Sequence, residues 1–320
     1  MDINNIFEYS SFEAQALDIF KYQASNNEVY SRYISLLGLD VNKICRFEEI
    51  PYLPIELFKS QKVYCGTEPH ELLFRSSGTT SATQSSHYVK KASIYKEAFS
   101  RGWEKFYGKA SECNIYALLP SYLERDGSSL IYMFEKLIEE SYDGGFFLYN
   151  HDDLIERLNK RDKSKKTILI GVTFALLELA KREDLPKDET LIVMETGGMK
   201  GHGEEVPREK LHKILSEAFG VQSIHSEYGM CECLSQGYSK GDGIFYPSET
   251  MKIVIRDLHD PFKTLEDGRK GGVNIVDLAN LYSCSFIQTQ DMGQRWKDGS
   301  FTIEGRISNS DIRGCNLLIQ

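Results

Sequence analysis

Residues 75–86, RSSGTTSATQSS, hold nine Ser, Thr or Gly among twelve positions, directly after the apolar run ELLF. Small hydroxyls and backbone N–H groups on a loop leaving a strand can converge on phosphate oxygens. The pattern G-x-x-x-x-G-K-[ST] of common NTPases is absent, and the first lysine after Gly78 is Lys90. A phosphate held here is therefore held without that lysine. The seven cysteines (45, 65, 113, 231, 233, 284 and 315) form no C-x-x-C pair. Neither a disulfide framework nor a structural zinc site is suggested, and reduced thiols are expected.

The elements that must position these groups follow from periodicity. Apolar residues at helical spacing cover 11–38, ending at Gly38. IPYLPIELFKS (50–60) is expected to be extended, because its two prolines oppose a helix. VYC and ELLF are expected strands, followed by the loop and a helix over 92–107. NIYALLPS is a buried strand, and SSLIYMFEKLIEES a helix with Leu130, Phe134, Leu137 and Ile138 on one side. TILIGV, TLIVMETGG and VQSIHSEYG then alternate as strands with the helices TFALLELAKRE and PREKLHKILSEAFG. That alternation predicts parallel βαβ units with ligands outside the carboxyl ends of the strands. Beyond about 240 come the strands MKIVIRDL and GGVNIVDL, and a hairpin at Asp298-Gly299 in QRWKDGSFTIEG. The expected class is α/β with a β-rich C-terminal part.

Composition sets limits. The chain is 41% hydrophobic and 27% charged, ordinary values for a globular protein. Its net charge of −9 and the lack of a dense Lys/Arg cluster argue against nucleic-acid binding. No apolar run approaches the roughly 20 residues of a membrane span, and MDINNIFEYSS lacks the layout of a secretion signal. A cytoplasmic location is the expectation.

Four segments in order, SSGTTS (76–81), SEYGMCE (226–232), TQDMG (289–293) and IEGR (303–306), resemble the motifs of the adenylate-forming superfamily of acyl- and aryl-CoA ligases. The resemblance implies that Ser76, Ser77, Gly78, Thr79 and Thr80 grip the phosphates of ATP. It places Tyr228 against adenine with Gly229 beside it, and Gly197-Gly198 on adenine's other side. Glu232 would help hold Mg2+, Asp291 would take the ribose hydroxyls, and Arg306 would reach the nucleotide from a hinge. The residues themselves agree: SEYGMCE offers a carboxylate on a short turn after a strand, and SFIQTQD one at a strand end. Taken singly, Tyr228 could equally be core, Glu232 and Asp291 solvated, and Arg306 a surface ion pair.

There are departures. Cys231 stands where the superfamily usually has Thr, and a thiol is a weak donor. The loop continues SATQSSH instead of to Pro-Lys-Gly, and Gln290 replaces a common glycine. Fourteen residues follow Arg306, so the lid domain with its lysine is expected to be reduced to a short tail. The expected division is 1–302 for the adenylate-forming domain and 303–320 for the hinge and tail.

With IPYLPIELFKS, LLPSYLERDGSSLIYM, ILIGVTFALLELA and GRISNSDIRGCNLLIQ, the chain is similar to the acyl-protein synthetase (LuxE-type) family. That resemblance implies activation of a carboxylic acid, in that family a fatty acid, by ATP and Mg2+, transfer to Cys315, and delivery to an acyl reductase partner. Arg313 could favour the Cys315 thiolate, a strong nucleophile toward a mixed anhydride; alternatively Cys315 only packs a terminal strand. A carboxylate–CoA ligase related to phenylacetate ligases, and a non-catalytic nucleotide-binding partner of a reductase, remain alternatives. Phe174, Ala175, Leu176 and Leu177 could line an apolar tunnel or be core, and His87 could steer a carboxylate or face water.

Overall fold

The computed structural model describes residues 6–76, 84–119, 127–197 and 206–307. The chain divides into two compact units: Met1–Ala98 with Met230–Ser235 and Tyr246–Gln320, and Phe99–Gly229 with Gln236–Phe245.

In the first unit the helical periodicity of 11–38 resolves into two helices, α1 (Phe12–Asn26) and α2 (Glu28–Leu36). Asn27 divides them: its side chain accepts from Tyr30 N–H at 3.1 Å, capping α2. Gly38, at φ 68°, ends the run. A two-residue strand, β1 (Leu53–Pro54), is followed by a one-turn helix, α3 (Leu57–Ser60). The expectation of a fully extended 50–60 is thus corrected, because both prolines precede the helical turn and neither blocks it. Strands β2 (Leu72–Arg75) and β3 (Ser86–Val89) pair antiparallel and bracket the hydroxyl-rich loop. Helix α4 (Ala92–Tyr107) has the predicted bounds.

The second unit is built of βαβ repeats. Strand β4 (Cys113–Leu118), helix α5 (Ser129–Glu140), strand β5 (Asp143–Phe147) and helix α6 (His151–Lys160) come first. They are followed by β6 (Lys166–Val172), α7 (Thr173–Leu179), β7 (Leu191–Thr196), α8 (Arg208–Phe219) and β8 (His225–Tyr228). The strands are parallel in the order β5-β4-β6-β7-β8, and β9 (Gly237–Ser239) joins β8 antiparallel. Ile115, Leu118, Ile168, Ile170 and Val193 are fully buried, as strands covered on both faces require. Strand β5 was not legible because it begins with Asp143-Gly144-Gly145, which reads as a turn. A Cβ on Gly144 would lie 2.5 Å from the Ile115 carbonyl, so only glycine lets these strands approach.

One ion pair in this unit has a measurable consequence. Arg161, its side chain 2% exposed, donates to Asp188 at 2.6 Å. Hydrogen bonds from Thr190 and Lys163, with the Arg161 charge, hold the Asp188 carboxyl well below the usual aspartate range. A depressed native pKa stabilises the fold above about pH 4, and that stability is lost as pH falls toward the native value. Asp188→Ala strands the buried guanidinium and is expected to cost about 3 kcal/mol at pH 7, shrinking toward pH 2, in urea denaturation.

The chain then returns to the first unit. A short strand, β10 (Phe245–Pro247), leads to β11 (Met251–Arg256), β12 (Lys270–Asp277), β13 (Phe286–Arg295) and β14 (Phe301–Arg306). The last four pair antiparallel in sequence order, and β1 adds parallel to β13. The predicted hairpin closes through Trp296 N–H donating to Ser300 O at 2.9 Å, with Gly299 at φ 84°. A register shift between Gly272 and Asn274 of β12 makes a bulge in β13, where Thr289, Gln290 and Asp291 face Val273 alone. Arg256 lies buried beneath it, donating to the carbonyls of Val273 and Thr289 at 2.8 and 2.7 Å.

Candidate active site

The neck of the hydroxyl-rich loop is closed by two serines. Ser76 N–H donates to Ser85 O at 3.1 Å, and Ser85 N–H donates back to Ser76 Oγ at 2.9 Å. Ser77, Gly78, Thr79 and Thr80 lie outside the described residues. Ser85 is buried, and its hydroxyl favours the ionised form of the Glu232 carboxyl. The strand that leaves the loop is in direct contact with the SEYGMCE turn, His87 Nδ1 lying 2.8 Å from the Cys231 carbonyl.

Glu232 is 6% exposed, an unusual position for a carboxylate. Burial raises its pKa above the ordinary range, while the Ser85 hydroxyl and the positive charges of Lys59 and Arg306 oppose that rise. The turn does not depend on this side chain for its shape. Asp277, fully buried, accepts from Leu234 N–H at 2.7 Å, Ser235 N–H at 3.1 Å and Ala279 N–H at 3.1 Å. It also takes the Ser235 hydroxyl at 2.5 Å. Asn280 Nδ2 donates to the Glu232 carbonyl at 2.6 Å. Neither Asp277 nor Asn280 carried a signal in the sequence; each lies over 40 positions away from the turn it fixes.

His87 neither faces water nor presents itself to a substrate: it is 0% exposed. Its Nδ1–H donates to the Cys231 carbonyl at 2.8 Å, and Nε2 lies 2.8 Å from the side-chain oxygen of Asn280. Two oxygens favour a charged ring, but burial opposes it and prevails, pushing the pKa down to about 4. The thiols of Cys231 and Cys233 are pushed far up by burial, so both remain neutral beside Glu232.

Asp291 and Arg306 face each other across β13 and β14 as a register pair, Arg306 Nε lying 4.0 Å from Asp291 Oδ1. Asp291 is not at a strand end, as expected, because β13 continues to Arg295. Asp291 lies instead in the β13 bulge opposite Val273, its N–H donating to Thr289 Oγ1 at 3.0 Å, so it leaves the regular ladder as a residue at a strand end would. The Arg306 side chain is 83% exposed, so its pairing contributes little to stability and leaves it free to reach other groups.

In the second unit the other predicted residues gather at the carboxyl ends of neighbouring strands. Gly197 follows β7 at φ 75°, a conformation that favours glycine. Tyr228 ends β8, with Gly229 next. Thr196 Oγ1 donates to Glu227 Oε2 at 2.6 Å and ties the two strand ends together. The half-buried Tyr228 ring packs against Phe245, centroids 5.9 Å apart. Gly198 lies outside the described residues, as do Arg313 and Cys315. Phe174, Ala175 and Leu176 are buried, and Phe174 and Leu177 border an open groove with Tyr149 and Ile214. Among the described residues no helix is long and apolar enough to cross a membrane.

No protein-family model matches the sequence, and no curated protein is similar to it in sequence. Solved structures share the fold. 2-Hydroxyisobutyryl-CoA ligase, with 2-HIB-AMP and CoA, superposes with a TM-score of 0.68 at 15% identity, over 93% of this chain and 68% of that one. ATP-bound MatB from Rhodopseudomonas palustris gives 0.57 at 16% identity over 75% and 49%. The AMP complex of O-succinylbenzoate coenzyme A synthetase (MenE) from Bacillus subtilis gives 0.51 at 16% over 73% and 49%. The chain matches about half the length of MatB and MenE. Its fold is that of the adenylate-forming ligases, confirming the expected α/β class.

Proposed function

We propose that this protein uses ATP to convert a carboxylic acid, in particular a long-chain fatty acid, to its acyl adenylate, and then passes the acyl group to Cys315 for delivery to an acyl reductase. The observation that carries the first step is the contact between the strand leaving the hydroxyl-rich loop and the turn of the buried Glu232, through His87 and the Cys231 carbonyl, with Arg306 and Asp291 on the same unit. The fold supports the reading, since MatB and MenE share it in complexes with ATP and AMP. In the reaction a carboxylate oxygen bonds to the α-phosphorus and the bond to the bridging oxygen breaks, releasing pyrophosphate. Cys315 then attacks the acyl carbon as thiolate, forming the thioester and releasing AMP.

The residues divide this work. Ser76, Ser77, Gly78, Thr79 and Thr80 cradle the phosphates, Asp291 takes the ribose hydroxyls, and Tyr228 with Gly229, Gly197 and Gly198 takes adenine. Glu232 fits Mg2+, which binds through one or two carboxylates plus substrate phosphates. Among the described residues no three His, Cys, Asp or Glu side chains form a ready-made metal site, so the ion would arrive with the nucleotide. When bound, it would draw charge from the phosphate oxygens.

A second reading is supported by the solved structures that share the fold, which are CoA ligases: the acyl group would go to coenzyme A. The product decides between them. With radiolabelled fatty acid, ATP and the reductase, wild type is expected to acquire hydroxylamine-labile label on the protein. Cys315→Ala is expected to lose that label while retaining carboxylate-dependent pyrophosphate exchange. Free acyl-CoA with an unlabelled protein would favour the second reading.

A further inference from the structure

We propose that Arg208, the first residue of α8, is a positioning residue for the nucleotide base: it braces Phe245 and, through Phe245, the ring of Tyr228. This rests on the role proposed above for Tyr228. An arginine in the first turn of a helix sets its charge against the positive end of the helix dipole, so α8 gains nothing from it by itself. Two contacts hold it there. Its guanidinium carbon lies over the Phe245 ring, 5.3 Å from the centroid, within the range of cation–π attraction. Its Nε lies 3.9 Å from Oε1 of Glu195, a side chain 10% exposed near the carboxyl end of β7. His212, one helical turn further on, brings Nε2 to 3.7 Å from the same oxygen, so this face of α8 is fixed on β7 at two points. Room for the arginine is kept by Gly243, at φ 65°, where a Cβ would lie 3.0 Å from Arg208 Cδ and Nη1.

Phe245 carries the support onward. It is 2% exposed, and its ring meets that of the half-buried Tyr228 at 59°, with centroids 5.9 Å apart. The bond from Thr196 to Glu227 fixes the end of β8; Phe245 gives the Tyr228 ring a wall to lean on. Glu195, Arg208, Phe245 and Tyr228 form one line of contacts wholly within the second unit. A base stacked on Tyr228 gains most when that ring is held in place beforehand. Without the guanidinium, Phe245 can turn into the vacated space, and Tyr228 loses its backing.

The test compares Arg208→Met, Arg208→Lys, Phe245→Leu and the double variant Arg208→Met/Phe245→Leu. Binding of ATP, AMP and inorganic tripolyphosphate is measured by calorimetry, and KM and kcat are taken from pyrophosphate exchange with a fatty acid. Arg208→Met is expected to weaken ATP and AMP alike by about tenfold and leave tripolyphosphate within about twofold. It should raise the KM for ATP with kcat unchanged, as loss of uniform binding does. Arg208→Lys, which can still set a cation over the ring, should recover part of the loss. The double variant should bind ATP no more weakly than Phe245→Leu alone, because Arg208 acts through that ring. A role confined to fastening α8 would lower the melting temperature without moving the KM for ATP or the ratio of ATP to tripolyphosphate affinity. That pattern, equal losses of ATP and tripolyphosphate, or additive losses in the double variant would each overturn the inference while the proposed function stands. If wild type shows no exchange with any acid, the proposed function fails, and the binding ratios alone decide the role of Arg208. A wild type that does not bind ATP would overturn both.

Discussion

Glu232→Ala is expected to lower carboxylate-dependent pyrophosphate exchange by about a thousandfold, the scale of removing a group that stabilises transition-state charge. The same substitution should not lower the melting temperature, and should raise it. The turn is held through the Glu232 carbonyl and through Asp277, both independent of the Glu232 side chain. Burial lifts the carboxyl's native pKa above its ordinary value, so the native state binds the proton more tightly than the unfolded chain. The resulting penalty grows as pH rises through the ordinary glutamate range and levels off above the native pKa. At pH 7 the alanine variant escapes that penalty. A more stable, inactive protein would be the mark of a carboxylate kept for function. Exchange assays and thermal melts at pH 5 and pH 7 read both halves of the prediction.

The second large effect falls on a residue that touches no substrate. Asp277→Ala removes the acceptor for three buried backbone N–H groups and the Ser235 hydroxyl. At roughly 1–3 kcal/mol for each buried donor left unpaired, with partial relaxation, the expected loss of stability is about 4 kcal/mol. Asp277→Asn keeps the shape and an acceptor oxygen, so it should recover about half of that. Activity measured well below the melting temperature should fall in the alanine variant, because the turn that aims Glu232 loses its anchor. Urea titration, with exchange assayed in parallel, separates the two losses.

How much of this was readable beforehand depended on whether an element announces itself locally. Helix α4 and the Asp298-Gly299 hairpin do, through 3.6-residue periodicity and through a turn that favours glycine at Gly299. The βαβ alternation did as well, and the parallel order of β4, β6, β7 and β8 follows from it. Features that failed to announce themselves are set by partners distant in sequence. Gly144 looks like a turn until the Ile115 carbonyl is placed against it. His87 looks like a loop residue until the turn at Cys231 and Asn280 closes over it. The bulge of β13 that contains Asp291 exists only against Val273 of β12, and Thr289 Oγ1 donates to the Val273 carbonyl at 2.7 Å inside it. The acid itself was legible; the device that aims it was not. Ser85 stood near the end of the hydroxyl-rich stretch, yet only its burial distinguishes it from its neighbours.

The claim on which the rest depends is that this chain adenylates a carboxylic acid. Exchange of labelled pyrophosphate into ATP, measured on the wild-type protein with Mg2+ and a series of fatty and aromatic acids, tests it most directly. The predicted result is exchange that requires an added acid and disappears in Glu232→Ala. ATP binding with no exchange for any acid would contradict it and leave a nucleotide-binding protein without this chemistry.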